Sequence, residues 1–169
     1  MRAAAAQDLP ALEALFAQAR RRIGALGIDQ WQDGRPNRDD LLRDIARGAG
    51  YVFVRGGCVQ GYAALLLERE AAYDAICGGD WRGHWRDSIV VHRVAVSDEA
   101  AGTGLGAAIL AYAAEFCRAH GRHFVRLDTH RGNTRMRGFL AHAGYDCRGQ
   151  VTYAHLAGDP VRVCYEKRV

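Results

Sequence analysis

The stretch Val90-Val91-His92-Arg93-Val94-Ala95-Val96, then Ser97-Asp98-Glu99-Ala100-Ala101, then Gly102-Thr103-Gly104-Leu105-Gly106, decides how this chain folds. An apolar run of strand length passes through five connecting residues into three glycines. Apolar residues at helical spacing follow, at Leu105, Ile109, Tyr112, Phe116 and Cys117, and Gly121 ends them. Glycines so placed let the backbone turn tightly and bring its N–H groups near a ligand, while the helix adds its positive N-terminal end. The combination predicts an anion cradle, with a phosphate-bearing ligand as the first expectation.

Upstream, Leu12, Leu15, Phe16, Ala19 and Ile23 predict a first helix, over residues 10–22, behind Asp8 as a candidate cap. Asn37 caps a second, with Leu41, Leu42 and Ile45 on one face and Gly48 and Gly50 closing it. The loop 27–36 between them holds Trp31 among amides and carboxylates. Residues 51–55 and 58–67 read as antiparallel strands joined by a Gly56-Gly57 hairpin. Residues 68–87 lose any period and carry Tyr73, Trp81 and Trp85 among acids and glycines, which predicts a long functional excursion. A strand over 88–96 leads into the glycines. Downstream come a strand over 123–129 and a short helix opened by Asn133, burying Met136, Phe139, Leu140 and Ala143 and stopped by Gly144. Strands over 145–154 and 161–167, joined through Gly158-Asp159-Pro160, finish the chain.

With 169 residues, about half of them apolar, the chain is expected to form one domain spanning residues 1–169. No apolar run approaches the ~20 residues of a membrane span, and the N-terminus turns polar too soon for a signal peptide, so a cytoplasmic protein with no membrane partner is expected. Five dispersed cysteines without a Cys-x-x-Cys pair, and histidines without a His-x-x-x-His pair, argue against a metal and against a disulfide framework. The net charge of +4 comes from 22 arginines and Lys167 against 19 acids, with no basic block or aromatic platform, which argues against nucleic acid.

Gly102-x-Gly104-x-x-Ala107 also fits a dinucleotide fingerprint, with Asp128 near the place of a ribose-binding acid. Such a turn, however, leaves its strand directly into the first glycine, whereas residues 97–101 intervene here. The ~65 residues that remain are too few to complete a doubly wound sheet.

His92-Arg93-Val94-Ala95-Val96, five residues, and the glycine loop with its helix resemble the coenzyme-A motif of the GNAT superfamily of N-acetyltransferases. Asn133-x-x-Met136-x-x-Phe139-Leu140-x-x-x-Gly144-Tyr145 resembles that superfamily's downstream motif, and the two lie at the right separation. The resemblance extends over nearly the whole chain to a bacterial subgroup marked by Asp29-Gln30-Trp31-Gln32, Asp128-Thr129-His130 and Tyr165-Glu166-Lys167. It implies an α/β fold of the α+β type, with a mixed, mostly antiparallel sheet of six to seven strands flanked by about four helices. It also implies transfer of an acetyl group from acetyl-CoA to a primary amine of a small-molecule acceptor by direct attack in a ternary complex. The alternatives are a non-catalytic acyl-CoA-binding module and a protein N-terminal acetyltransferase. A homodimer is the default assembly.

By that resemblance, the backbone of Val94, Ala95 and Val96 meets the pantetheine arm and the thioester oxygen. Gly102, Thr103, Gly104, Leu105, Gly106 and Ala107 wrap the pyrophosphate, and Asn133, Met136, Phe139 and Leu140 complete the coenzyme site. Ala101 stands where relatives carry arginine or glutamine, and Leu140 stands where a tyrosine often acts as general acid. A thiol, with a reference pKa of ~8.5, can leave with little protonation. Asp128 is the first candidate for general base and His130 the second, on one face of their strand. Trp31, Tyr73, Trp81 and His92 are candidates for acceptor binding, since aromatic faces and carboxylates suit a cationic amine.

Overall fold

A computed structural model describes residues 1–156 and 158–169. In chain order its elements are β1 (Arg2–Ala3), α1 (Leu9–Gly24), α2 (Arg38–Ala46), β2 (Gly50–Arg55), β3 (Cys58–Leu66), β4 (Ser88–Val96), α3 (Leu105–Ala119), β5 (Phe124–His130), α4 (Thr134–His142), β6 (Asp146–Thr152) and β7 (Val161–Arg168). The strands form one sheet ordered β1-β2-β3-β4-β5-β7-β6. Every neighbouring pair is antiparallel except β4 with β5. The expected mixed sheet with four helices is therefore present, and β1 is an added edge strand too short to show a period. Excursion 68–87 is irregular, as its sequence predicts, apart from short turns of helix at Ala71–Ala75 and Trp85–Asp87.

Alternation along the strands sorts side chains between two layers. Phe53, Ala63, Leu65, Ile89 and Val91 face α3, where Ile109, Ala113 and Phe116 cover them. Val52, Tyr62, Ala64 and Ala95 face α1 and meet Leu12, Leu15 and Phe16. Each such fully buried large side chain contributes roughly 1.5–3 kcal/mol. Three sequence expectations shift. Asp8 does not cap α1 through its side chain; its carboxylate accepts from the Ala5 N–H and the Arg2 guanidinium one turn earlier. On α2, behind the expected Asn37 cap, Leu42 is exposed and Asp44 takes the buried place. On α4 only Leu140 is fully buried, while Met136, Phe139 and Ala143 are half-buried.

β4 breaks its own alternation. Ile89 and Val91 pack toward α3, yet so do Val94 and Val96, because an extra residue is inserted where the register to β3 slips between Tyr62 and Ala64. Arg93 sits in that bulge at φ 55°, a left-handed conformation that an ordinary residue holds only when its surroundings impose it. The restraint is Asp44, whose carboxylate accepts from Arg93 Nε at 2.7 Å and Nη2 at 2.5 Å, and from the Tyr62 hydroxyl at 2.7 Å. Burial, then the Asp44 charge, pushes the Tyr62 phenol far up. Asp44→Ala, which strands a largely buried guanidinium and a buried hydroxyl, is expected to cost about 3 kcal/mol in urea denaturation.

Candidate active site

β4 and β5 pair in parallel only at Ser88↔Phe124, Ile89↔Val125 and Val90↔Arg126. Beyond that point β4 continues on β3 to Val96, and β5 continues on β7 to His130. The sheet therefore splits, and among the described residues the backbone of β4 beyond Val90 has no strand partner on its β5 side. Val94 lines the cavity of about 420 Å³ that opens there, with His92, Leu127, Asp128, Asn133 and Met136. Ala95 is buried against the α1 layer, and the Val96 carbonyl accepts from Arg22.

The glycine loop follows the split strand. Gly102 and Gly104 adopt φ 78° and 86°, and a Cβ on either would point into open space. Gly106 is needed for a different reason, since a Cβ there would stand 3.3 Å from the Phe139 ring. The Thr103 N–H and hydroxyl are both spent on the Ala100 carbonyl. Among the described residues, the N–H groups of Gly102, Gly104, Leu105, Gly106 and Ala107 have no partner within the protein, and the first intrahelical bond is Ala108 N–H to Gly104 O. Four of these donors converge at the positive end of α3, an arrangement that fits a pyrophosphate without any side chain at Ala101.

Asn133 is 8 % exposed and caps α4, its Oδ1 accepting from the Met136 N–H at 3.1 Å while its Nδ2 donates to Gln30. Met136 reaches the cavity wall, and Phe139 packs on Gly106. Leu140 is fully buried in the α3 layer and does not line the cavity.

The polar heart of the cavity lies at the fork. Asp128 Oδ2 accepts from the Tyr73 hydroxyl at 2.9 Å and the Tyr153 hydroxyl at 3.0 Å. His92 Nδ1 stands 3.9 Å from the same oxygen, and His92 Nε2 meets Glu70 Oε2 at 3.1 Å. A glutamate on Nε2 makes that nitrogen the donor, and in the neutral ring it leaves the Nδ1 lone pair facing Asp128. Burial raises the Glu70 carboxyl, but the His92 hydrogen bond and charge outweigh it, so Glu70 sits below the usual carboxylate range and stays ionised. Burial, then the Asp128 charge, pushes both phenols far up and keeps them as neutral donors.

The remaining expected residues separate. His130 shares a strand face with Asp128 but does not line the cavity. Its Nδ1 accepts from the Gly132 N–H, and its Nε2, 3.0 Å from Asp29 and 3.3 Å from Asp159 but without a hydrogen bond among the described residues, lies between the 27–36 loop and the β6–β7 connection. Trp31 lines the cavity and packs edge-on against Phe16. Tyr73 is buried and contributes its hydroxyl to Asp128. Trp81 stacks behind Tyr73, beneath the Arg126 guanidinium at 4.4 Å, away from the Asp128 cavity. Sequence reasoning missed Glu70, which sits in an aperiodic segment, and Arg162, an ordinary strand position whose register alone brings it to the cavity.

Residues 11–145 match the Acetyltransferase (GNAT) family. A crystal structure of a GNAT-family acetyltransferase from Streptococcus agalactiae superposes with a TM-score of 0.88 at 33% identity, covering 99% of this chain and 94% of that one. An uncharacterized N-acetyltransferase, YesJ, of Bacillus subtilis is 28% identical over 145 residues, covering 85% of this chain and 79% of its own. The PaiA N-acetyltransferase of Thermoplasma acidophilum, solved in complex with coenzyme A, shares the fold with a TM-score of 0.74 at 17% identity, covering 99% of this chain and 97% of that one. The chain belongs to the GNAT acetyltransferase family and is an acetyl-CoA-dependent N-acetyltransferase. Among the described residues no helix is long and apolar enough to cross a membrane, and no cluster of His, Cys, Asp and Glu could hold a metal.

Proposed function

We propose that the enzyme acetylates the primary amine of a small acceptor, by direct attack within a ternary complex, at the fork between β4 and β5. Acetyl-CoA supplies the acetyl group as a thioester. The free N–H groups at the start of α3 support a pyrophosphate there, and the β4 backbone beyond Val90, which lacks a strand on its β5 side, supports an extended arm that ends beside Asp128. A backbone N–H of β4 then meets the carbonyl oxygen as charge develops on it.

The observation that carries the acceptor side is the facing pair Asp128 and His92, 3.9 Å apart. That distance, measured to Oδ2, exceeds a direct hydrogen bond, so the carboxylate and the imidazole face one another without pairing. With Tyr73 and Tyr153 on Oδ2, Asp128 keeps Oδ1 to hold an ammonium. His92 Nδ1 accepts the proton that the ammonium must lose before its nitrogen can attack, and the ionised Glu70 stabilises the imidazolium that results. The new N–C bond forms, the C–S bond breaks, and the thiol leaves without a tyrosine at position 140.

Thiol release from acetyl-CoA across a panel of primary amines tests this reading. Amine-dependent release with intersecting initial-rate lines is expected. Parallel lines, which denote an acetylated enzyme, or saturable binding of acetyl-CoA with no release to any amine, would overturn it.

A further inference from the structure

The face of β5 and β7 that carries Asp128 holds a second charged group which the reaction above does not use. In the antiparallel register Asp128 stands opposite Cys164, and His130 stands opposite Arg162. Arg162 is therefore the diagonal neighbour of Asp128 on one sheet face, about 7–8 Å away by strand geometry. It is 7 % exposed and lines the same cavity. Its Nη1 donates to the carbonyls of Asp159 at 2.8 Å and Val161 at 3.0 Å. Among the described residues its Nε and Nη2 have no partner, and no carboxylate lies within ion-pair range.

The contrast with the other buried arginines is chemical. Arg126 on the same face is 3 % exposed and meets Glu166, and Arg93 meets Asp44. The acid nearest Arg162 in sequence, Asp159, gives its carboxylate to Arg131, His130 and the Val161 N–H. A largely buried guanidinium is costly without an anion, and among the described residues none is within reach. Its unused edge offers the planar pair of donors that fits a carboxylate.

We propose that Arg162 binds a carboxylate on the acceptor, so that the acceptor class is the free amino acid, with its amine between Asp128 and His92. This rests on the acetyl transfer proposed above. An ammonium and a carboxylate separated by one or two carbons suit two opposite charges that sit as diagonal neighbours on one sheet face and line one cavity, each end held by a hydrogen bond of about 2.9 Å. The cavity then reads both charges of a zwitterion, and Trp31 and Met136 on the other walls are left to meet its side chain.

The test compares free amino acids with their carboxamides, which keep the amine and lose the negative charge, for the wild-type enzyme, R162Q and R162K. The wild type is expected to favour the acids by at least about thirty-fold in kcat/KM, the low end for losing one partner of a buried charge pair. In R162Q the acid-to-carboxamide ratio should collapse toward one, chiefly through KM for the acids, and R162K should recover part of it. Carboxamides used as well as the acids by the wild type, or a ratio unchanged in R162Q, would overturn the proposal while leaving acetyl transfer intact. If no amine of either kind releases thiol, the reaction fails separately, and binding decides the inference. Amino acids should raise the melting temperature of the wild-type coenzyme-A complex and not that of R162Q; no shift in the wild type would refute the carboxylate site.

Discussion

Asp128→Asn is expected to lower kcat by about 10²–10⁴ while acetyl-CoA binds as in the wild type, a loss in the range that general acid–base groups contribute. The asparagine keeps an oxygen that can accept from Tyr73 and Tyr153, so the cavity wall stays in place. What disappears is the negative charge that draws an ammonium to His92 and balances it through the transfer. The coenzyme's phosphates are expected at the α3 end of the fork, away from Asp128, so their affinity has no reason to change. Single-turnover kinetics and titration calorimetry read the two effects separately. Normal turnover in this variant would remove Asp128 from the reaction. Equal losses in turnover and coenzyme affinity would show instead that the fork had collapsed.

Gly104→Val is expected to abolish measurable coenzyme binding. The residue sits at φ 86° as the N-cap of α3, a conformation that a β-branched side chain holds only under strain of roughly 1–3 kcal/mol. Its Cβ points into open space, so the folded protein itself presents no steric obstacle. The obstacle is on the ligand side, because a branched side chain would occupy the space in front of the free N–H groups of residues 104–107. A melting temperature lowered by a few degrees together with lost acetyl-CoA stabilisation is the expected pair of results. Unchanged affinity would mean that the phosphates bind elsewhere.

The glycine loop and the strand before it were legible because their signals are local. An apolar run, five residues and Gly-x-Gly-x-Gly specify a strand, a turn and a helix N-terminus without reference to the rest of the chain. The bulge at Arg93 was not legible, since its cause is a carboxylate 49 residues away on α2. That bulge lets the consecutive His92 and Arg93 both reach the cavity while Val94, which also lines it, and Val96 pack against the α3 core as Ile89 and Val91 do, which strict alternation would not allow. Asp128 was singled out by its place in the Asp-Thr-His motif, and Tyr73 and His92 were named apart from it, but their convergence was not legible. Tyr73, Tyr153 and Glu70 arrive from an aperiodic excursion and from the end of β6, brought together by tertiary structure alone.

The subgroup motifs that looked functional serve partly as braces. Asp29 accepts from the Asp159 N–H and approaches His130, Gln30 accepts from Asn133, Trp31 packs on Phe16, and Gln32 donates to the Arg20 carbonyl. Tyr165, Glu166 and Lys167 alternate along β7 among three tasks: filling the core, pairing with Arg126, and donating to the Ala143 carbonyl at the end of α4. His130 stands outside the cavity for the same reason. Sharing a strand face with Asp128 does not amount to sharing a cavity, because the two carboxylates from distant loops that surround His130 leave no trace in the local sequence.

The central claim is that the fork between β4 and β5 brings an acetyl thioester to an amine held by Asp128 and His92. The most direct measurement is initial-rate kinetics with acetyl-CoA and a free amino acid as the varied substrates, with the product identified by mass spectrometry. Intersecting lines and an N-acetylated amino acid are expected, with turnover lost in Asp128→Asn and coenzyme affinity retained. Acetyl-CoA hydrolysis at a rate independent of amine, or N-acetylation that proceeds undiminished in Asp128→Asn, would contradict it.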